Sequence, residues 1–166
     1  MEKMMKNTTL CYIEKDGKYL MLHRVKKKND LNQDKWVGIG GKFLYGESPE
    51  ECLLRETLEE TGLTLTDYKY RGIVTFLSDC WDGEYMHLFS AYDFKGDMLE
   101  CDEGNLEWID KSEVYNLPIW VGDKLFFKLI ENRDTPFFSM KLEYRGEELI
   151  KATLNGQNID IDCEVL

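Results

Sequence analysis

The feature that most constrains this chain is the segment 41–63, GKFLYGESPEECLLRETLEETGL, because it combines helix start and end signals with clustered glutamates. Ser48 is a favourable N-cap, since its hydroxyl can accept a hydrogen bond from a free amide of the first turn. The next residue is a proline, which suits the first helical position, and a glutamate three residues after the serine completes a capping box. Gly62 supplies the left-handed residue that commonly ends a helix. These signals predict a helix over residues 49–61.

The predicted helix places three glutamates, Glu56, Glu59 and Glu60, on one side, because residues three and four apart are neighbours on a helix surface. The opposite side, which is expected to pack on a core, carries Leu54, Thr57, Leu58 and Thr61. Like charges at such positions repel each other unless a cation lies between them. Carboxylate oxygens are preferred ligands of Mg²⁺ and Mn²⁺, so the spacing predicts a metal site. The simpler interpretation is a solvated acidic face.

The whole segment resembles the Nudix box, the signature of the Nudix hydrolases. In that family a glycine is followed after five residues by a glutamate, and after seven more by R-E-U-x-E-E-x-G-U, where U is a bulky apolar residue. The matching residues here are Gly41, Glu47, Arg55, Glu56, Thr57, Glu59, Glu60, Gly62 and Leu63. Thr57 is the one departure, and it replaces no charged group. The resemblance implies a metal-dependent hydrolase of nucleoside diphosphates that are linked to another group.

Length and charge narrow the class of protein further. The 166 residues are expected to form a single domain, 1–166, with the box at 41–63. A formal net charge of −11 argues against a nucleic-acid polymer or an anionic membrane as partner. A polyphosphate remains compatible, because metal ions can mediate its binding. No apolar run approaches the roughly 18 residues of a membrane span, and no secretory signal is visible.

The cysteines indicate a reducing compartment. Their positions, without CxxC spacing, are Cys11, Cys52, Cys80, Cys101 and Cys163. An odd number of cysteines without a secretory signal predicts free thiols in the cytoplasm. Most are expected to be small buried hydrophobic side chains.

The rest of the chain reads as strands with a second helix. Residues 8–14 and 18–24 are predicted to form a hairpin around Asp16 and Gly17, and Asp123 is a favourable N-cap for the second helix. The further predicted elements are strands at 36–39, 70–77, 85–94 and 106–109, a helical turn at 111–117, a helix at 123–131 and a hairpin turning near 145–146. The resemblance implies the family's α+β fold, an α/β/α sandwich in which a curled mixed sheet lies between helices and carries the Nudix loop-helix motif. This fold accommodates the predicted order of elements.

The resemblance also assigns roles within the box. It places metal ligands at the backbone carbonyl of Gly40 and at the carboxylates of Glu56, Glu59 and Glu60. One of Glu56, Glu59 or a loop glutamate accepts the proton of the attacking water, and the family leaves this choice open. Arg55 and Glu47 are expected to form an ion pair that orients Glu56 and the loop.

Outside the box, MutT-like members use a glutamate from the loop before the strand at 106–109 to bind metal or to assist the water. Glu100 and Glu103 both fit this role, and the sequence does not choose between them. Arg24 matches an arginine that contacts the substrate phosphates in those members, whereas the following lysines at 26–28 are interpreted as surface residues.

Lys42 is a second candidate for phosphate contact, with a plain surface lysine as the equal alternative.

Residues 9–151 resemble the oxidised-purine triphosphatases, the MutT and MutX kind. Trp120 matches a tryptophan that recognises the oxidised base in the mammalian relatives and would stack on the purine, and Asp123 matches the second of two aspartates there. Gly122 stands where the first aspartate would be, and Val37 stands where those relatives have an asparagine. The simpler interpretations are a core aromatic for Trp120 and a helix N-cap for Asp123.

The expected activity is Mg²⁺-dependent hydrolysis of purine nucleoside triphosphates such as 8-oxo-dGTP to the monophosphate and pyrophosphate, with Mn²⁺ as a possible substitute. Alternatives are a Nudix enzyme for dinucleoside polyphosphates, nucleotide sugars or capped RNA, a ligand-sensing Nudix domain without activity, and a plain acidic globular protein. The sequence leaves open the preferred base, the general base and the choice between monomer and homodimer.

Overall fold

The computed structural model describes residues 3–26 and 28–164, without the side chains of 163 and 164. Lys27 of the basic run and the Cys163 side chain therefore lie outside the description. Within it, Cys11, Cys52 and Cys101 are buried free thiols, and Cys80 is an exposed one. No helix in this part of the chain is long and apolar enough to cross a membrane.

The described residues form nine strands and three helices, with one short 3₁₀ turn. The strands are β1 (Met5–Lys15), β2 (Lys18–His23), β3 (Trp36–Val37), β4 (Thr64–Ser78), β5 (Gly83–Lys95), β6 (Asn105–Asp110), β7 (Phe138–Arg145), β8 (Glu148–Leu154) and β9 (Gln157–Asn158). The helices are α1 (Pro49–Thr61), α2 (Asp123–Ile130) and α3 (Ile161–Glu164), and the 3₁₀ turn is Val114–Asn116. All the predicted elements are present, and β9 and α3 were not predicted.

The strands form one mixed, open sheet in the order β3-β2-β1-β5-β4-β7-β8-β9, with β6 also paired to β2. The β1–β5 and β4–β7 pairs are parallel, and the others are antiparallel. The predicted turn of the first hairpin is confirmed, because Asp16 and Gly17 both have positive φ, 52° and 76°, as a two-residue hairpin turn requires.

The sheet separates two hydrophobic cores, because successive side chains of a strand point to opposite faces. On β1, Tyr12 belongs to one core and Cys11 to the other. Helix α2 covers the first core with Phe126 and Phe127, and α1 covers the second with Leu53. The predicted α+β sandwich with helices on both faces is confirmed.

Helix α1 has the predicted bounds and caps. The Ser48 hydroxyl accepts a hydrogen bond from the Glu51 amide, the Glu51 carboxylate accepts one from the Ser48 amide, and Gly62 closes the helix with φ 80°. The predicted apolar face is partly wrong, since the Leu58 side chain is 51% exposed. The buried stripe runs through Cys52, Leu53, Thr57, Glu60 and Thr61 instead. Leu58 lies about 100° around the axis from Thr57 and so points away from the sheet.

Two further predictions need correction. Asp123 is not the N-cap of α2, because that position is Gly122, whose amide donates a hydrogen bond to the Tyr144 hydroxyl (2.8 Å). Asp123 is the first helical residue, and its side chain is buried. Strand β4 begins at Thr64 rather than Tyr70, because bulges interrupt the alternation of side chains that signals a strand.

Candidate active site

The loop before α1 is held close against β1. The Thr9 amide donates a hydrogen bond to the Gly41 carbonyl (2.9 Å). A Cβ atom at Gly40 would lie 1.8 Å from the Thr9 carbonyl oxygen, so only glycine permits this approach. The loop thereby brings the Gly40 backbone to the glutamates of α1, where its amide donates to the Glu60 carboxylate (3.3 Å).

Gly41 is fitted to the helix in the same way. A Cβ atom there would lie 2.4 Å from the carboxyl carbon of Glu56 and 2.5 and 2.6 Å from its two oxygens. The absence of a side chain at Gly41 therefore leaves the space that the Glu56 carboxylate occupies.

Arg55 ties the loop to the helix, in the arrangement that the sequence predicts. Its guanidinium donates two hydrogen bonds to the Glu47 carboxylate (2.7 and 2.8 Å), and also reaches Glu56 (2.8 Å), Glu59 (3.2 Å) and the Lys42 carbonyl (2.9 Å). The Arg55 hydrogen bonds lower the pKa of Glu47 to about 2. A bidentate pair of this kind is directional, so Arg55 holds neighbouring carboxylates in a defined arrangement.

The buried carboxylate of Glu60 is affected by the charges of two other glutamates of the site. Burial raises the pKa of Glu60 to about 8, and the negative charges of Glu103 and Glu56 add to the effect. Glu103 is held by Arg24, which donates to it (2.7 Å) and to Asp30 (2.7 Å). Arg24 therefore lies at the site as predicted, although its hydrogen bonds in this structure go to carboxylates.

The loop 96–104 places one of its two candidate glutamates at the site and leaves the other outside. Lys26 fixes it by donating to the Cys101 carbonyl (2.9 Å), and the Leu99 amide donates to the Thr61 carbonyl (2.8 Å). Glu103 borders the cavity described below, whereas Glu100 is exposed.

A cavity of about 530 Å³ brings most of the predicted residues together. The predicted residues that border it are Gly40, Glu56, Glu60, Glu103, Arg24, Lys42, Trp120 and Asp123. Four predicted residues are not part of its lining: Glu47, Arg55, Glu59 and Glu100. Arg55 remains linked to the cavity because it donates a hydrogen bond to Glu56, which borders it. Glu47 and Glu59 are linked to the cavity in turn through their hydrogen bonds with Arg55.

The donors in this cavity fit a hard divalent cation. The glutamates Glu56, Glu60 and Glu103 supply carboxylate oxygens, and the backbone of Gly40, whose amide donates to Glu60, borders the same cavity. Such oxygens suit Mg²⁺ or Mn²⁺. A bound cation would relieve the repulsion that the charges of Glu103 and Glu56 exert on the Glu60 carboxylate. Among residues 3–26 and 28–162, no three acidic, histidine or cysteine side chains stand close enough to hold a metal ion as they are. Binding would therefore require these glutamates to draw together.

Trp120 is a core aromatic, as the simpler interpretation of its sequence position expected, and it also borders the cavity. Its indole N–H donates to the Asn32 side chain (2.8 Å), and the Lys35 ammonium lies 4.8 Å from its ring centroid. Asp123 lies beside it, and burial raises the pKa of this carboxyl to about 8, against the opposing charge of Lys35.

The departures from the mammalian pattern have a structural basis at Gly122. A Cβ atom there would lie 2.6 Å from the Tyr144 hydroxyl and 2.6 Å from Leu142, so an aspartate would have to displace these two buried side chains. Val37 borders the cavity with an apolar side chain where the mammalian relatives have an asparagine.

The residues that border the cavity and that sequence reasoning missed include Tyr12, Asn32 and Trp81. Tyr12 looks like any core strand residue, and Asn32 lies in a polar loop. Trp81 follows β4 in a turn. No sequence spacing connects any of them to the box.

Comparison with known proteins agrees with this geometry. Residues 4–130 match the NUDIX domain family. The chain is 31% identical over 144 residues to the oxidized purine nucleoside triphosphate hydrolase of Danio rerio, covering 86% of this chain and 88% of that protein. It is 32% identical over 126 residues to the uncharacterized Nudix hydrolase YvcI of Bacillus subtilis (strain 168), covering 72% and 75%. A MutT protein from Bacillus halodurans has a similar structure, with a TM-score of 0.79 and 30% identity over 92% of this chain and 99% of that one.

The match over residues 4–130 and the loop-helix motif show that the chain belongs to the Nudix family. Together with its relatives and the MutT structure, the fold and site make it a MutT-like Nudix pyrophosphohydrolase. Enzymes of this family generally use a divalent metal ion.

Proposed function

We propose that the protein hydrolyses oxidised purine nucleoside triphosphates such as 8-oxo-dGTP to the nucleoside monophosphate and pyrophosphate in a reaction that depends on Mg²⁺. The observation that carries this proposal is one cavity bordered both by the carboxylates Glu56, Glu60 and Glu103 and by Trp120 and Asp123. A nucleoside triphosphate has the matching composition, with phosphates at one end and an aromatic base at the other. The name of the Danio rerio relative supports the same substrate class.

The metal would be held by the Gly40 carbonyl and by carboxylates of the box, with Glu103 as the loop glutamate. The box carboxylates in this set are Glu56, Glu59 and Glu60. Bound Mg²⁺, or Mn²⁺ in its place, would neutralise phosphate charge and lower the pKa of a bound water. Arg55 and Glu47 keep Glu56 in position, and Glu56 or Glu59 is suited to accept the proton of the water.

The remaining predicted residues would bind the substrate. Arg24 and Lys42 border the cavity as cationic groups for the phosphates. Trp120 would stack on the base, an interaction worth about 1–3 kcal/mol. Asp123 offers a carboxyl group to the edge of the base.

The decisive experiment measures pyrophosphate release from 8-oxo-dGTP beside dGTP and a panel of other nucleotides, with and without Mg²⁺. A clear preference for the oxidised base supports the proposal. Faster turnover of a dinucleoside polyphosphate, a nucleotide sugar or capped RNA than of 8-oxo-dGTP would show that the substrate belongs to another class of Nudix substrates. Activity on no compound in the panel would favour the ligand-sensing alternative.

Replacing Glu56 by glutamine tests the role of the box. The Glu56→Gln variant is expected to lose about a hundred- to ten-thousand-fold in kcat, because it removes a charge needed for metal and water. The melting temperature should change little, since the carboxylate faces a cavity rather than a core. Turnover equal to that of the wild type would contradict the assignment.

We also propose that residues 1–166 act as one Nudix domain in the cytoplasm, as a monomer or homodimer. The free thiols of Cys11, Cys52, Cys80 and Cys101 support a reducing compartment. The net charge of −11 supports a small nucleotide, rather than a nucleic-acid polymer, as the partner.

A further inference from the structure

Two tyrosine hydroxyls, those of Tyr12 and Tyr19, are buried without a hydrogen-bond partner. Their rings contact each other edge to face in the first core, with centroids 5.7 Å apart. Tyr12 borders the cavity, whereas Tyr19 is not part of the cavity lining. Buried hydroxyls without a partner are rare in folded proteins, so one that borders a ligand cavity requires an explanation.

Tyr12 is a fully buried part of the cavity wall. It has no water-accessible surface although it borders the cavity, and 7% of its neighbour Asp123 remains exposed. Burial and the charge of Asp123 raise the pKa of the phenol, whereas the Gly38 backbone, which approaches the phenol without meeting hydrogen-bond geometry, lowers it. Tyr12 and Asp123 therefore both belong to the buried wall of the cavity, with the phenol within electrostatic range of the carboxylate.

Gly38 contributes to this arrangement by having no side chain. A Cβ atom there would lie 3.0 Å from the Cε1 atom of Tyr12 and 2.7 Å from the Cys11 carbonyl oxygen. The backbone at Gly38 can thus lie directly against the edge of the phenol ring. Any larger residue would push the ring or the strand away.

We propose that the Tyr12 hydroxyl is a specificity-determining group that, together with Asp123, forms hydrogen bonds to the edge of the base of the bound nucleotide. The proposal rests on the proposed function for its substrate class. A hydroxyl both donates and accepts, and a carboxyl group can do the same when protonated. The pair therefore suits a flat heteroaromatic base that presents a donor and an acceptor side by side. Tyr12 supplies a polar group in a pocket where Val37 supplies none.

A site that forms hydrogen bonds to a substrate group discriminates against analogues that lack this group, because its own buried polar atoms are then left unpaired. The unpartnered hydroxyl of Tyr12 is such an atom in the free protein. The correct base would complete its hydrogen bonding, and a base with the wrong edge would not.

The experiment compares Tyr12→Phe with the matched control Tyr19→Phe. Each variant removes one unpartnered hydroxyl from the same core and keeps the ring, so both should fold with similar melting temperatures. Steady-state kcat and KM are measured for 8-oxo-dGTP, dGTP, dATP, 8-oxo-dATP, dCTP and dTTP with Mg²⁺. Tyr12→Phe is expected to lower kcat/KM for the preferred nucleotide by about five- to tenfold through KM, and to leave the poorest substrates unchanged. Tyr19→Phe is expected to leave the order and ratios of the panel unchanged.

The outcomes separate this inference from the proposed function. If the wild type prefers another base and Tyr12→Phe reduces that preference, the inference stands and the proposed substrate is wrong. If Tyr12→Phe keeps the wild-type ratios, or if Tyr19→Phe changes them equally, the inference is wrong whatever the substrate. A wild type without preference among bases, or without activity on any of them, would also overturn it.

Discussion

At the scale of single residues, the structure distinguishes between two glutamates that the sequence could not rank. Glu103 is held at the cavity by Arg24 (2.7 Å), whereas Glu100, in the same loop, is exposed and borders nothing in the site. Both lie in one acidic run, so no local pattern separates them. The hydrogen bonds of Lys26 to the loop backbone decide which of the two faces inward.

This difference gives a matched pair of variants. Glu103→Gln is expected to raise the Mg²⁺ concentration for half-maximal activity by about tenfold or more, because a carboxylate at the metal site is lost. Glu100→Gln is expected to leave it unchanged. Titration of activity with Mg²⁺ provides the measurement, and equal behaviour of the two variants would argue against a role for Glu103.

At the scale of elements, the loop before α1 is shaped by two adjacent glycines with different neighbours. A Cβ atom at Gly40 would meet the backbone of Thr9, and one at Gly41 would meet the carboxylate at the end of the Glu56 side chain. A backbone cannot move without disturbing β1, whereas a carboxylate can rotate. Two similar substitutions should therefore have different consequences.

Gly41→Ala is expected to displace the Glu56 carboxylate and reduce kcat strongly with little change in melting temperature. Gly40→Ala is expected to destabilise the fold by about 1–3 kcal/mol, the usual result of forcing an extra atom into a packed region. Denaturant unfolding and turnover measured on both variants test this contrast. A loss of stability in Gly41→Ala as large as that in Gly40→Ala would contradict it.

The ion pair between the loop and α1 predicts a pH dependence. The pKa of Glu47 falls from 4.5 to about 2 through Arg55, so its stabilisation is fully present above 4.5 and is lost as the pH falls towards 2. Glu47→Gln should therefore be less stable than the wild type near neutrality, with a difference that shrinks between 4.5 and 2. Free energies of unfolding measured across this range provide the test, and parallel curves would refute it.

At the scale of the whole molecule, the cavity draws on both sides of the sheet. Helix α1, which packs on the second core, supplies Glu56 and Glu60, whereas Trp120 and Asp123 belong to the segment that packs on the first core. Arg71 of β4 helps to fix α2, because its buried guanidinium donates to the carbonyls of Ile130 (3.1 Å) and Asn132 (2.6 Å). The Ile130 carbonyl lies at the C-terminal end of α2, where the negative end of the helix dipole suits a cation.

Metal binding should stabilise the whole molecule, because a ligand that binds only the folded state shifts the unfolding equilibrium. Mn²⁺ or Mg²⁺ at about a hundred times its dissociation constant is expected to add about 2.7 kcal/mol. Thermal unfolding with increasing metal measures this, and Glu56→Gln should show a smaller shift. An unchanged melting temperature in the wild type would contradict a metal site in the cavity.

The sequence by itself determined the elements and the chemistry that depend on neighbours along the chain. The bounds and caps of α1 follow from local signals, and its glutamates share one side because a helix brings residues three and four apart together. The Glu47–Arg55 pair, eight residues apart, was implied by the resemblance to the Nudix box. The turn at Asp16 and Gly17 follows from the backbone conformations that such residues tolerate.

Tertiary structure alone decided which groups meet from distant parts of the chain. The exposure of Leu58, the burial of Asp123 and the bulged start of β4 depend on how each element lies on the sheet. Contacts between segments far apart in sequence decide that Glu103, rather than Glu100, borders the cavity. They also bring Tyr12 and Asp123 to the same cavity wall. Such contacts leave no periodic pattern, because packing fixes them in space rather than through spacing along the chain.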